Sequence, residues 1–190
     1  MAKFFRVCLT GGPGAGKTSI ADLLRRESEG TFVVAPETAT ILYGGGFPRP
    51  RDAREQKLVQ SAIYNVQIRS EAFHFGRMRA RKERVLVCDR GTLDSCAYWP
   101  GGRTSFLRAQ GTTLEKEFSR YDLVVHLESA SVAGVYDLSN PVRTESASEA
   151  QRLDRKIREA YRGHPKTVFI PSRASFLEKS EEVLALLRSI

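Results

Sequence analysis

Glycines that turn tightly, followed by a lysine and a hydroxyl, make a combination that can hold a chain of phosphates. Residues 11–18 read Gly11-Gly12-Pro13-Gly14-Ala15-Gly16-Lys17-Thr18 and match G-x-x-x-x-G-K-[ST]. The glycines let backbone N–H groups approach an anion closely, so residues 12–19, ending at Ser19, are the candidate phosphate contacts. Lys17 is placed to reach the β- and γ-phosphates, and the Thr18 hydroxyl to ligate Mg²⁺. Pro13 has no N–H and contributes shape alone. The expected ligand is ATP or GTP with Mg²⁺, the nucleotide sitting on the N-terminus of the helix that follows.

Further candidates lie after other apolar runs. Asp89-Arg90 follows Val85-Leu86-Val87-Cys88, where a Mg²⁺-supporting carboxylate is needed beside such a loop. Arg90 can touch phosphate or pair with a carboxylate. Glu37, after Pro36, can accept a proton from an attacking hydroxyl, and its position equally suits a solvated loop acid. Asp94 can bind substrate, although capping a short helix is the simpler reading. Phosphoryl transfer also needs a cation on the moving group, often from a mobile segment. Arg143, Arg152 and Arg155 are the candidates, Arg143 first because it lies in the loop Asn140-Pro141-Val142-Arg143. His74, His126 and His164 show no metal-ligand spacing, and His126 reads as a core residue.

The elements that must position these residues alternate along the chain. Strand patterns occupy 4–9, 31–35, 84–88, 123–127 and 167–170. Two of these are continuous apolar runs, as in parallel strands covered on both faces. Helical patterns fall at 17–29, 53–82, 113–118, 148–161 and 176–188, the longest carrying Val59, Ala62, Ile63 and Val66 at i, i+3, i+4, i+7. The alternation predicts a doubly wound α/β sheet of about five strands in a single domain over residues 1–190. Ligands in such sheets bind beyond the carboxyl ends of the strands.

No apolar run approaches the ~20 residues of a membrane span, and the N-terminus lacks a secretory pattern. Cys8, Cys88 and Cys96 have neither disulfide nor zinc spacing, which fits a reduced, cytoplasmic protein. The net charge of +8 raises nucleic acid as a partner. Its arginines, however, cluster in helical segments (Arg77, Arg79, Arg81 and Lys82; Arg152, Arg155, Lys156 and Arg158). These read as solvated faces or as surfaces that attract phosphorylated ligands.

Taken together, the phosphate loop, Ala35-Pro36-Glu37-Thr38-Ala39-Thr40, Cys88-Asp89-Arg90-Gly91-Thr92-Leu93-Asp94 leading to Tyr98-Trp99-Pro100, His126-Leu127-Glu128 and Asn140–Arg143 resemble one group of proteins. It is the small P-loop AAA-type ATPase/kinase-like family. That family is related to the ribosylnicotinamide kinase domain of a bacterial NAD-salvage protein and includes a GTP-binding protein of photoreceptor-channel trafficking. The resemblance implies a nucleoside/nucleotide-kinase-type P-loop fold, sheet order 2-3-1-4-5, with an Arg-bearing lid. Deoxynucleoside kinases look similar in two places, a Glu after the second strand and an acid–Arg pair after the third, and that resemblance implies Glu37 as general base, with Asp89 and Arg90 serving metal and phosphate. The lid departs from the pattern, since the R-x-x-R pair Arg152/Arg155 lies well beyond Asn140–Arg143.

The first functional expectation is an ATP-dependent kinase acting on a hydroxyl of a small, nucleoside-like molecule. The second is an ATP- or GTP-binding regulator acting through a protein or membrane partner. No N-K-x-D motif and no D-x-x-G after the third strand support a Ras-like switch. A nucleic-acid-acting enzyme rests on charge alone. Acceptor, base preference and oligomeric state are not legible in the sequence.

Overall fold

A computed structural model describes residues 4–27, 31–81, 84–131, 146–173 and 175–190. Five strands, β1 (Phe5–Thr10), β2 (Phe32–Ala35), β3 (Val85–Asp89), β4 (Leu123–Leu127) and β5 (Thr167–Ile170), form one sheet in the order β2-β3-β1-β4-β5. All four pairings are parallel. This is the expected fold: a doubly wound, five-stranded P-loop architecture.

Side chains alternate between the two faces of each central strand, which splits the core into two layers. Val7, Leu9, Val85, Val87, Val125 and Leu127 face one layer. It is covered by Ile20 and Leu24 of α1 (Lys17–Glu27) and by Val183, Leu184 and Leu187 of α8 (Phe176–Arg188). Cys8, Leu86, Cys88 and Val124 face the other, against Tyr64 and Met78 of α3 (Ala53–Arg81), Phe106 of α5 (Gly102–Ala109), and Leu153 and Ile157 of α7 (Ala147–Ala160). Strands covered on both faces cannot alternate polar and apolar, which is why β3 reads as an unbroken apolar run.

Three helices go beyond the sequence expectation: α2 (Thr38–Gly44), α4 (Ser95–Tyr98) and α5, with a 3-10 turn over Thr92–Asp94. The last helices are α6 (Leu114–Phe118), capped by Thr113, and α7, whose Ser146 accepts a bond from the Glu149 amide while Glu149 returns to the Ser146 amide. All three cysteines are buried and free, and His126 is a core residue. Among the described residues no helix is long and apolar enough to cross a membrane.

Candidate phosphoryl-transfer site

The phosphate loop leaves the central strand β1 and enters α1. Gly11, Gly14 and Gly16 have φ of 137°, 73° and 88°, a region that side chains disfavour. At Gly11 a Cβ would lie 2.0 Å from the Leu127 carbonyl oxygen, so that position admits only glycine. The carbonyls of the loop are held from beneath. Lys17 Nζ donates to Gly11 O and Gly12 O at 2.8 Å each, Ser129 Oγ to Pro13 O at 2.6 Å, and Lys179 Nζ to Ala15 O at 3.0 Å. With its oxygens turned away, the loop presents the amides of Gly14, Gly16, Lys17 and Thr18, which meet no acceptor among the described residues. A concavity of N–H groups at a helix N-terminus is an anion site.

The Gly12 amide is committed elsewhere, donating to Asp154 Oδ1 at 2.7 Å. The same carboxylate accepts from Ser129 N at 3.2 Å and meets His126 Nε2 at 3.3 Å. Asp154 therefore ties α7 to the loop and to the end of β4. Lys179 similarly ties α8, bonding Glu128 O at 2.6 Å as well as the loop. The ring of Phe176, half exposed, lies against Gly16, where a Cβ would meet it at 2.7 Å.

Lys17 is 6% exposed. Burial, then the charge of Arg90, lowers its pKa to about 8, although Glu37, Asp89 and Asp94 pull it back. It keeps its charge at neutral pH while folded onto two carbonyls, and an arriving phosphate can claim it.

Glu37 sits at the N-cap of α2, just beyond the carboxyl end of β2, and pairs with Arg90 Nε. Burial raises the Glu37 pKa, but the Arg90 and Lys17 charges outweigh it and hold the carboxyl at about 2. Arg90 Nη1 also reaches Asp94 Oδ2 at 3.1 Å and the Gly11 carbonyl at 3.4 Å, so one guanidinium links Glu37 to the phosphate loop. It does so from a left-handed backbone, φ 71°, held by Arg90 N on Leu9 O at 3.0 Å and by Gln67 Nε2 on Arg90 O at 3.0 Å. Asp94 does more than cap its turn. Its Oδ1 accepts from Thr10 Oγ1 at 2.7 Å, Tyr161 OH at 2.9 Å and Gly91 N at 3.3 Å.

Asp89 is the last residue of β3, and its buried Oδ1 has no partner among the described residues. Burial and then the Glu37 charge raise its pKa to about 6, while Lys17, Arg90 and a hydrogen bond with Thr18 lower it. An orphaned carboxylate oxygen next to the Thr18 hydroxyl fits a hard divalent cation, so the residues present suit Mg²⁺. Among the described residues no set of three His, Cys, Asp or Glu side chains gathers as a metal site, so phosphate and water oxygens would complete the coordination.

Thr18, Lys17, Glu37, Asp89 and Arg90 thus come together. Arg152 is exposed on α7, and Arg155 faces a separate groove. Arg143 lies outside the described residues. Sequence reasoning missed Asp154, Lys179, Ser129, Gln67 and Phe176. Each acts across a long sequence separation, and only Asp154 and Lys179 leave a local signal, a charged residue on the buried face of a helix.

The structure matches a deoxyadenosine kinase from M. mycoides solved with bound dCTP, with a TM-score of 0.53 at 12% sequence identity, over 97% of this chain and 100% of that one. At that identity the likeness shows the fold, a nucleoside-kinase-like P-loop fold. No curated protein matches the sequence. Residues 6–179 match the model of an AAA-domain family, which covers the loop, Glu37, Asp89 and Arg90, and the chain belongs to that family.

Proposed function

We propose that this chain transfers the γ-phosphoryl group of ATP to a hydroxyl of a small, nucleoside-like acceptor. The observation that carries this reading is Glu37, which lies beside the phosphate loop and is linked to it through Arg90. A protein that only held a nucleotide would have no need of a carboxylate fixed there. The fold shared with a deoxyadenosine kinase supports the same reading. So does the resemblance of the Glu37 and Asp89-Arg90 segments to deoxynucleoside kinases.

In this mechanism the free loop amides and Lys17 bind the β- and γ-phosphates. Thr18 and Asp89 would hold Mg²⁺, which when bound neutralises charge on those oxygens. Arg90 keeps the anionic Glu37 facing the acceptor hydroxyl. As the new O–P bond forms and the bond to ADP breaks, the hydroxyl becomes acidic and its proton passes to Glu37. A carboxylate with a pKa near 2 is a weak base in the ground state. Its main contribution is therefore to orient the hydroxyl, as suits a reaction governed by positioning and electrostatics.

The test is to incubate the protein with Mg·ATP or Mg·GTP and a panel of nucleosides, nucleoside monophosphates and ribosylnicotinamide, following diphosphate release and phosphorylated product. Acceptor-stimulated release is expected, with Glu37→Gln lowering kcat by roughly 10²-fold while nucleotide affinity changes little. Slow hydrolysis that ignores every acceptor and survives Glu37→Gln would replace the kinase with a nucleotide-dependent regulator.

A further inference from the structure

Arg155, Arg158 and Arg162 line one groove of about 460 Å³ between the C-terminal turn of α7 and the start of β5. The phosphate loop follows the carboxyl end of β1, whereas this groove borders the amino end of the parallel strand β5, so the two lie toward opposite ends of the parallel strands. We infer that the groove is a second anion site, for a small molecule bearing a di- or triphosphate. The inference stands apart from the kinase reading.

The groove is built as well as charged. The Arg158 guanidinium lies over the Phe169 ring, 4.2 Å from its centroid, and His126 stacks on the same ring at 5.7 Å. That arrangement holds a long side chain that would otherwise wander in solvent. Arg162 follows α7 in a turn that Gly163 permits with φ 95°. His164 pins that turn, with Nε2 on Tyr121 O at 3.0 Å and Nδ1 accepting from Lys166 N at 3.2 Å. Carbonyls at a helix C-terminus would repel an anion. Here Arg103 covers them, Nη1 donating to Glu159 O at 3.1 Å and Ala160 O at 3.2 Å. One carboxylate, Glu159, shares the lining and is drawn to Arg162 at 3.5 Å.

Size and spacing select the ligand. Arg155 and Arg158 lie about 4.5 Å apart along the axis of α7, and Arg162 follows in the turn beyond the helix, so the three side chains can share a di- or triphosphate. Guanidinium forks suit phosphate oxygens, and the cavity volume falls in the range of small-molecule sites. A nucleic acid backbone calls for an extended basic track, and this charge is gathered in one concavity.

The test uses the full chain carrying Lys17→Ala, so that the phosphate loop does not compete, titrated with inorganic pyrophosphate and with ADP at physiological salt. Binding is expected, with the amide resonances of Gly163, His164 and Thr167 shifting. Adding Arg158→Ala and Arg162→Ala should weaken it at least tenfold. If that variant unfolds, Arg158→Lys with Arg162→Lys keeps the charge, loses the forks and should weaken binding several-fold. ADP binding more tightly than pyrophosphate would mark a nucleotide site, and equal binding a site for the diphosphate alone. No binding at millimolar ligand, resonance shifts elsewhere, or affinity indifferent to the arginines would each overturn the inference. So would a short single-stranded DNA binding there far more tightly than pyrophosphate.

Discussion

Arg90 holds a left-handed backbone that costs a non-glycine residue on the order of 1 kcal/mol. What keeps it there is the set of bonds it makes on both sides, to Glu37, Asp94, Leu9 and Gln67. The Glu37–Arg90 pair should therefore appear in the acid stability of the protein. Glu37 has a folded-state pKa of about 2 against 4.5 in an unconstrained chain, so its contribution is complete above pH 4.5 and is lost as the pH falls toward 2. Unfolding by urea at pH 7 should show Glu37→Gln less stable than wild type by about 1–3 kcal/mol, with the gap closing as the pH falls from 4.5 toward 2. A gap independent of pH would mean that the carboxylate is not held by the ion pair. Lys17, Thr18 and Asp89 were legible in the sequence because a motif or a strand end marks them locally. The Glu37–Arg90 pair spans 53 residues, and only the sheet brings it together.

Single elements show the same division. The strand–loop–helix unit of β1 and α1 was readable because its glycines have one physical use. α2 and α5 were not: at 7 and 8 residues their patterns are short, and the adjoining Gly44-Gly45-Gly46 and Pro100-Gly101-Gly102 read as loop. The helix at α7 was legible, but the face it turns to the phosphate loop was not. Its arginines face away from the loop into solvent or a separate groove, and Asp154 is the side chain that reaches the loop. Gly12 lets α7 come that close. A Cβ there would lie 2.8 Å from Asp154 Cβ and 3.1 Å from the Ala150 carbonyl oxygen. Gly12→Ala should therefore destabilise the fold by about 1–3 kcal/mol and weaken nucleotide binding as the helix is pushed off the loop. Gly44→Ala is the control. Nothing lies within 4 Å of its Cβ position at the end of α2, so it should leave stability unchanged or slightly raised. Equal losses from both substitutions would mean that Gly12 is restrained by something other than this contact.

At the scale of the molecule, the alternation of strands and helices and the two-layer core follow from apolar runs and their spacing, whereas the strand order came only with the family resemblance. The carbonyls of Pro13 and Ala15 are a different matter, since their partners Ser129 and Lys179 come from beyond β4 and from α8, more than a hundred residues away. The phosphate loop is thus shaped by parts of the chain that must all be folded for its amides to converge, so the unfolded chain has no comparable site. Nucleotide bound to the folded state alone stabilises it by RT ln(1 + [L]/Kd), about 2.7 kcal/mol at a hundredfold excess over Kd. For a chain of 190 residues that corresponds to a Tm increase of roughly 5–10 °C. Mg·ATP should produce such a shift in wild type, Lys17→Ala should abolish it, and Glu37→Gln should retain it, because Glu37 is assigned to the acceptor and not to the phosphates. If Glu37→Gln lost the shift along with Lys17→Ala, the carboxylate would belong to the nucleotide site itself, and its place opposite an acceptor hydroxyl would have to be given up.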